Sequence, residues 1–145
     1  MKVRTVYLTK RIETEVTLQM SKALSPFNLT PLQFAVLSFV DADNPNFSSA
    51  QLSRRFAMTP QSMNEIVRIL LGKNLINKTI DPAHKRILRL SLTDSGKDIL
   101  KQCNIAINAV ERNLFGGLTE DEHHSFKLIM GKILEKARTN ALTTA

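Results

Sequence analysis

The spacing of hydrophobic residues changes within the stretch from Met58 to Thr93. In its first half, apolar residues lie three and four positions apart, which predicts a helix with one apolar face. Thr59 and Pro60 predict its start, because a hydroxyl caps free N–H groups and proline lacks the N–H that would stay unbonded there. Asn74 predicts a left-handed end. The apolar positions are Met63, Ile66, Val67, Leu70 and Leu71.

The second half of this stretch predicts a β-hairpin. Leu75 to Ile80 and Ile87 to Leu92 are predicted as two short strands, and residues 81–86 form a turn with a basic tip. A helix with a polar, amide-bearing face followed by a basic hairpin is the arrangement with which a winged helix contacts DNA.

The N-terminal segment predicts two helices of different character. From Val6 to Leu24, apolar residues recur at every fourth position between charged ones, and Pro26 ends this helix. The next helix opens with Thr30 and Gln33, a capping-box pair. It is apolar nearly all round, which predicts a buried central helix.

A helix-turn-helix is predicted between this central helix and the hairpin. Asp41 to Phe47 is rich in Asp, Asn and Pro and predicts a loop. Ser48 and Gln51 form another capping-box pair, which starts a short helix that ends near Arg55. An ordinary helical hairpin is the alternative interpretation. The β-hairpin immediately downstream favours the helix-turn-helix.

Two long helices are predicted at the C-terminus. The first starts at Thr93–Gly96, runs to about Phe115 and is ended by two glycines. The second starts with the capping-box residues Thr119 and Glu122 and runs to about Thr139. These helices and the N-terminal one carry more apolar surface than a small winged core could cover, so we expect them to pack against a second copy of the chain. Their apolar positions include Ile99, Cys103, Ala106, Ile107, Val110, Leu114, Phe126, Ile129, Met130, Ile133, Leu134 and Ala137.

Length and composition favour a single soluble domain. The chain has 145 residues, of which 43% are hydrophobic and 23% charged. One cysteine gives no disulfide framework and no cysteine-based zinc site, and no metal or other cofactor is expected. No apolar run reaches the length of a membrane span and the first 20 residues do not resemble a signal peptide, so we expect a cytoplasmic location and no membrane partner.

The formal charge of +7 is concentrated in one segment. Residues 48–92 contain eight basic and two acidic side chains, whereas the flanking segments are nearly neutral. Such a distribution is typical of a surface that binds a polyanion. A solvated surface with chance clustering is the alternative. The coincidence of charge with a winged helix favours DNA binding.

Several short motifs in register resemble those of the MarR (multiple antibiotic resistance regulator) family of transcription factors. They cover essentially the whole chain, and the central part is the most specific. The matching segments are Leu29-Thr30-Pro31-Leu32-Gln33-Phe34, Gln51-Leu52-Ser53-Arg54-Arg55-Phe56, Met58 to Ile76, Asp81-Pro82 with Arg86, and Leu90-Ser91-Leu92-Thr93 with Gly96.

The resemblance implies a mainly α fold with a small β wing, in which residues 28–94 form a DNA-binding lobe and residues 1–27 and 95–145 form dimerisation helices. It implies a homodimer that places one recognition helix in each major groove of a pseudo-palindromic operator and the wing residue Arg86 in a minor groove. It also implies release by a small aromatic or anionic effector, whose binding residues are unknown.

Three residues depart from the family pattern. His84 stands where the family often has an Asp that pairs with the wing Arg, and Asp81 is the alternative partner for Arg86. Lys85 replaces a frequent Arg, which loses the fork geometry of the guanidinium but keeps the charge. Glu65 in the recognition helix repels phosphate unless it accepts from a cytosine amino group or pairs with Arg68.

The predicted DNA-binding residues have different roles. Gln61 and Asn64 are the best candidates for base recognition because their amides can pair with adenine. Arg68 is expected to bind phosphate, and Arg86 to contribute to affinity on every sequence. Ser48 and Thr59 are equally well explained by helix capping alone. The full set is Ser48, Arg54, Arg55, Thr59, Gln61, Ser62, Asn64, Glu65, Arg68, Lys78, His84, Lys85 and Arg86.

The remaining reactive side chains favour a structural role. Cys103 lies on an apolar stripe, which is typical of a buried thiol, and His123-His124 has no further ligands arranged for a metal. A phosphate loop, a catalytic triad and a metal-ligand set are lacking, so we expect no enzyme. We expect a transcriptional regulator. The alternative is a helical protein that binds small molecules or partners on the same fold without binding an operator.

Overall fold

The computed structural model describes residues 2–41 and 47–144, the last four of these by their backbone only. Two compact units divide the chain, Met1–Val110 and Glu111–Ala145. The elements are α1 (Thr5–Leu24), a short 3-10 helix (Ser25–Phe27), α2 (Pro31–Asp41), α3 (Ser49–Arg55), α4 (Pro60–Gly72), β1 (Ile76–Ile80), β2 (Leu88–Leu92), α5 (Asp94–Phe115) and α6 (Glu120–Thr144). The mainly α fold with a small β wing is therefore confirmed. The predicted loop of residues 41–47 falls mainly on residues 42–46, outside the described residues.

Helix starts lie where the capping residues predicted them. The side chains of Thr30 and Gln33 each accept from the other residue's backbone N–H, at 3.2 Å in both directions. Ser48 and Gln51 form the same reciprocal pair at the start of α3. Thr59 accepts from the N–H of Ser62 at the start of α4. These bonds satisfy N–H groups that have no partner inside a helix.

Helix α2 lies at the centre of the core of the first unit. Val36 and Leu37 are fully buried, and α2 contacts both α1 and β2. Its apolar character on nearly every side correctly predicted this position. Helix α4 contributes its predicted apolar face, including the buried residues Met63, Val67 and Leu70.

The two strands form the antiparallel hairpin of the wing, in which Ile76 pairs with Leu92 and Ile80 with Leu88. Each strand begins one residue later than predicted. The preceding Asn74 has φ 56°, the left-handed end expected of α4. The carbonyl of Phe47 accepts from the N–H of Leu90 at 3.1 Å, which ties the start of α3 to the wing.

The second unit contains the end of α5 and all of α6. Phe115 stacks on His123 with ring centroids 5.7 Å apart, and it also contacts Phe126. Helix α6 continues to Thr144, beyond the predicted end near Thr139, because residues 140–144 contain no glycine or proline that would stop it. The burial described for α6 places its apolar stripe in solvent, including Leu128, Ile129, Met130, Ile133 and Leu134.

Within the described residues, no single helix has the length and apolar character needed to cross a membrane. The helical segments Thr5–Phe27 and Pro31–Asp41 meet the criteria of length and composition only when they are taken together, and the chain bends by 75° between them.

Candidate nucleic-acid interface

Helices α3 and α4 form the predicted helix-turn-helix. Their turn contains Ala57 in the left-handed region, with φ 51°, and the N–H of Met58 donates to the carbonyl of Ser53 at 2.9 Å. This bond closes the turn after α3 and directs the chain into the capped start of α4. Alanine rarely adopts such a conformation, and here the N–H of Ala57 also donates to the carbonyl of Arg54 at 3.3 Å, so two backbone hydrogen bonds hold the turn.

The start of α4 presents polar side chains to solvent. The hydroxyl of Thr59 accepts from the N–H of Ser62 at 3.1 Å and donates to the hydroxyl of Ser62 at 2.9 Å. Gln61 and Asn64 are exposed on the same helix. An exposed helix start of this kind, with its N–H groups and hydroxyls, suits a phosphate.

Asn64 is linked to the other helix of the motif. The hydroxyl of Ser49, in the first turn of α3, donates to Oδ1 of Asn64 at 2.7 Å. Ser49 is absent from the predicted set because nothing in the local sequence indicates this contact across fifteen residues.

Glu65 and Arg68 pair on the exposed face of α4. Nε of Arg68 lies 3.0 Å from Oε2 of Glu65, and Nη2 lies 2.5 Å from Oε1. The hydrogen bonds from Arg68 lower the pKa of Glu65, and those to Glu65 raise the pKa of Arg68. Of the two partners considered for Glu65, the structure therefore has Arg68. The guanidinium expected to bind phosphate is engaged with this carboxylate.

Asp81 anchors the wing, and its arginine partner is Arg89 rather than Arg86. The Asp81 carboxylate accepts from Nε and Nη2 of Arg89 at 2.9 and 2.6 Å, and from the N–H of Ala83 at 2.8 Å. The bond from Ala83 and then those from Arg89 lower the pKa of Asp81. The proposed pairing of Asp81 with Arg86 is thus corrected: the register of the strands places Arg89 beside the carboxylate.

A cleft of about 510 Å³ lies between α3, the start of α4 and the wing. It brings together four of the predicted residues, namely Ser48, Arg54, Asn64 and Arg86. It also includes Arg89, a residue of the basic hairpin that is not in the predicted set. Other lining residues are Ser49, Ala50, Gln51, Pro60, Ile87 and Leu88. A concave surface with three arginines favours an anionic ligand.

The remaining predicted residues lie outside this cleft. Lys78, His84 and Lys85 are exposed on the wing. Arg55 has its guanidinium carbon 5.1 Å from the ring centroid of Phe39, a cation–π contact that gives it a packing role. Within the cleft, Ser48 is only 8% exposed, and its hydroxyl caps α3.

The side chains considered for redox or metal chemistry lie elsewhere. Cys103 is buried, and burial raises the pKa of its thiol. Among the described residues, no group of three His, Cys, Asp or Glu side chains could hold a metal ion.

Comparison with protein families gives a match to the MarR family over residues 27–87. The HTH-type transcriptional repressor Rv2887 of Mycobacterium tuberculosis is 29% identical over 88% of this chain and 91% of its own length. The HTH-type transcriptional repressor MdtR of Bacillus subtilis is 26% identical over 92% of this chain and 83% of its own length.

Solved structures share the fold of this chain. The crystal structure of Rv2887 in complex with salicylic acid has a TM-score of 0.70 and 28% identity, and it covers 91% of this chain and 97% of that one. The S. aureus MepR–DNA complex has a TM-score of 0.81 over 93% of this chain and 99% of that one. At 21% identity, the latter likeness shows the winged-helix fold alone. The sequence matches and the shared fold make the chain similar to the MarR family of helix-turn-helix transcriptional regulators.

Proposed function

We propose that this chain is a homodimeric repressor that binds a pseudo-palindromic operator and is released from it by a small aromatic or anionic molecule. The observation that carries the proposal is the cleft lined by Arg54, Arg86 and Arg89 beside the exposed start of α4. The two acidic residues of the basic segment, Glu65 and Asp81, are each paired with an arginine. The carboxylates therefore oppose DNA binding less than an unpaired charge would.

The DNA contacts follow from this arrangement. Helix α4 enters the major groove with Gln61 as a base reader, and hydroxyls and N–H groups at its start contact phosphates. The wing places Arg86 in the adjacent minor groove. Residues 28–94 form the DNA-binding lobe in this proposal, and residues 1–27 and 95–145 form the dimerisation helices.

Exposed apolar side chains support the homodimer. Val6 and Tyr7 of α1 are 73% and 58% exposed, and Ile133 and Leu134 of α6 are 61% and 65% exposed. Large apolar stripes of this kind are typical of protein interfaces. Sedimentation of the purified chain should give a dimer, and a monomer at micromolar concentration would contradict this part of the proposal.

The relatives support repression and release. Rv2887 and MdtR are named as transcriptional repressors. Structures of Rv2887 contain salicylic acid and p-aminosalicylic acid, both aromatic carboxylates. We extend this effector class to the present chain, and we place its action in the cytoplasm, as a regulator rather than an enzyme.

The direct test is fluorescence anisotropy with the DNA upstream of the gene for this chain and with a scrambled duplex, at two salt concentrations. The proposal requires tight, salt-sensitive binding that prefers the upstream DNA. Salicylate should then release the DNA. Equal binding to both duplexes would contradict specific recognition, and binding to neither would favour the partner-binding alternative.

A matched pair of arginine variants tests the wing. Arg86→Ala should weaken binding to all duplexes and lower the salt slope by about 0.9 per lost phosphate interaction, or about 1.8 for a dimer. Arg11→Ala removes the same side chain from α1, outside the cleft, and should leave the slope unchanged. If Arg86→Ala and the wild type show the same salt dependence of DNA affinity, Arg86 is not part of the DNA interface.

A further inference from the structure

The contact between Ser49 and Asn64 joins the two helices of the helix-turn-helix through their side chains. Ser49 occupies the first position of α3, and Asn64 lies in the second turn of α4. Their side-chain oxygens are 2.7 Å apart, with the hydroxyl as donor and Oδ1 as acceptor. Both residues line the cleft that also contains Arg54 and Arg86. The bond therefore lies on the surface proposed to face DNA.

This bond restricts what the Asn64 amide can offer a base. An amide has one accepting oxygen and an NH2 group with two donors. The pairing of asparagine with adenine uses both ends, because Oδ1 accepts from N6 while the NH2 group donates to N7. Ser49 occupies one of the two lone pairs of Oδ1 and holds the oxygen toward α3, so the end of the amide that Asn64 presents away from α3 is the NH2 donor.

We propose that Ser49 is a positioning residue for base recognition, which commits the Asn64 amide to a base with acceptors in the major groove. This inference rests on the proposed operator binding. Guanine presents two acceptors, N7 and O6, and thymine presents O4, whereas adenine places its N6 donor beside its N7 acceptor and so opposes an NH2 group there. The operator position contacted by Asn64 is therefore guanine or thymine. The adenine pairing expected for Asn64 from its residue type alone is disfavoured.

A purely structural role for Ser49 would not change which DNA base Asn64 prefers, whereas a positioning role would. It is not the cap of α3, since that cap is the hydroxyl of Ser48, which accepts from the N–H of Gln51 at 3.2 Å. Removal of the Ser49 hydroxyl thus leaves the capping box intact. It frees Oδ1 of Asn64, so the amide can turn and pair with adenine.

The test is selection from a library of duplexes randomised over about 20 base pairs, two helical turns. Wild type, Ser49→Ala, Ser49→Thr, Asn64→Ala and the Ser49→Ala/Asn64→Ala double variant are compared. Asn64→Ala identifies the position that Asn64 reads, where the wild type should select guanine or thymine. Ser49→Ala should admit adenine there and lower the discrimination roughly tenfold, with other positions unchanged. Ser49→Thr keeps the hydroxyl and should retain the wild-type preference.

The double variant separates positioning from folding. If Ser49 acts through Asn64, then Ser49→Ala adds no change in sequence preference once Asn64 is alanine. An unchanged preference in Ser49→Ala, or adenine at the wild-type position, would overturn the inference while the operator-binding proposal stands. Failure of the wild type to select any sequence would overturn both. A loss of preference at every position, together with a lowered melting temperature, would make Ser49 structural and also overturn the inference.

Discussion

Gly96 is the position where one added methyl group should do the most damage. It is buried in the first turn of α5, and its N–H donates to the hydroxyl of Thr93 at 2.9 Å. A Cβ at this position would lie 2.0 Å from the carbonyl oxygen of Leu75 and 3.0 Å from its carbonyl carbon. That oxygen cannot turn away freely, because it accepts from the N–H of Thr93 at 3.1 Å.

The geometry sets the magnitude of the effect. An ordinary contact for a Cβ atom is 3.4–4 Å, so the two backbones would have to separate by more than an ångström. Forcing extra atoms into a packed site costs about 1–3 kcal/mol when side chains can adjust. Backbone on both sides of the contact leaves less room to adjust. We therefore expect Gly96→Ala to lower the free energy of unfolding by about 3 kcal/mol, the upper end of that range.

Gly72 supplies a matched control. A Cβ there would meet nothing within 4 Å, and the residue is the last of α4. Since alanine is favoured over glycine in helices by up to about 1 kcal/mol, Gly72→Ala should be as stable as the wild type or slightly more stable. Urea unfolding of the wild type and both variants is measured at one protein concentration, because the apparent stability of a dimer depends on that concentration. If Gly96→Ala unfolds at the same urea concentration as the wild type, the reasoning from the contact is wrong.

Three further predictions follow from the hydrogen bonds of the interface. Glu65→Gln releases Arg68 for phosphate, so anisotropy should show tighter binding to both upstream and scrambled DNA and a smaller ratio between them. Because folding lowers the pKa of Asp81, its ionised carboxylate stabilises the fold at pH values above the unfolded-state pKa of about 3.9. This stabilisation is lost as the pH falls through the folded-state pKa. In urea unfolding at several pH values, Asp81→Asn should therefore lose this part of the dependence of stability on pH. Thr59→Ala deletes the cap of α4 and should cost about 1 kcal/mol of stability in the same assay.

Each of these predictions has a result that would contradict it. Weaker binding of Glu65→Gln to its preferred DNA alone would mean that Glu65 reads a base instead of restraining Arg68. An acid profile of Asp81→Asn identical to that of the wild type would show that the Asp81 carboxylate, with its bonds from Ala83 and Arg89, contributes nothing to the pH dependence. If Thr59→Ala is as stable as the wild type, water replaces the bond between the Thr59 hydroxyl and the N–H of Ser62 without loss of stability.

Local signals in the sequence predicted most of the helical architecture. A cap and its partner lie three residues apart, so Thr30 with Gln33 and Thr119 with Glu122 are recognisable without tertiary information. The apolar spacing of α4 likewise identifies the face that packs on the core. The end of α6 was predicted too early because no breaker residue marks it.

Contacts between elements were predicted less well. In the wing, the register places Arg89 opposite Thr79, which makes Asp81 a diagonal neighbour of Arg89. Arg86 belongs to the turn between the strands, so Asp81 has a different arginine partner from the one suggested by the family motif. Whether Asp81 pairs with Arg86 or Arg89 depends on the strand register, and the sequence predicted the strand starts only to within one residue. The bond from Ser49 to Asn64 depends on how two helices cross and leaves no local signal.

Leu75 joins α4, the wing and α5 in the first unit through backbone hydrogen bonds. Its N–H donates to the carbonyl of Leu70 in α4 at 3.1 Å, and its carbonyl accepts from Thr93 just before α5. The hydroxyl of Thr93 also donates to the carbonyl of Asn74 at 2.7 Å. These bonds use the backbone at residues 70, 74 and 75, so side-chain changes there preserve the groups that make them. Residue 96 has no such tolerance, because the close approach to Leu75 exists only without a Cβ. The backbone at residues 74 and 75 therefore joins the end of α4 to the start of α5, and glycine at position 96 permits this close approach.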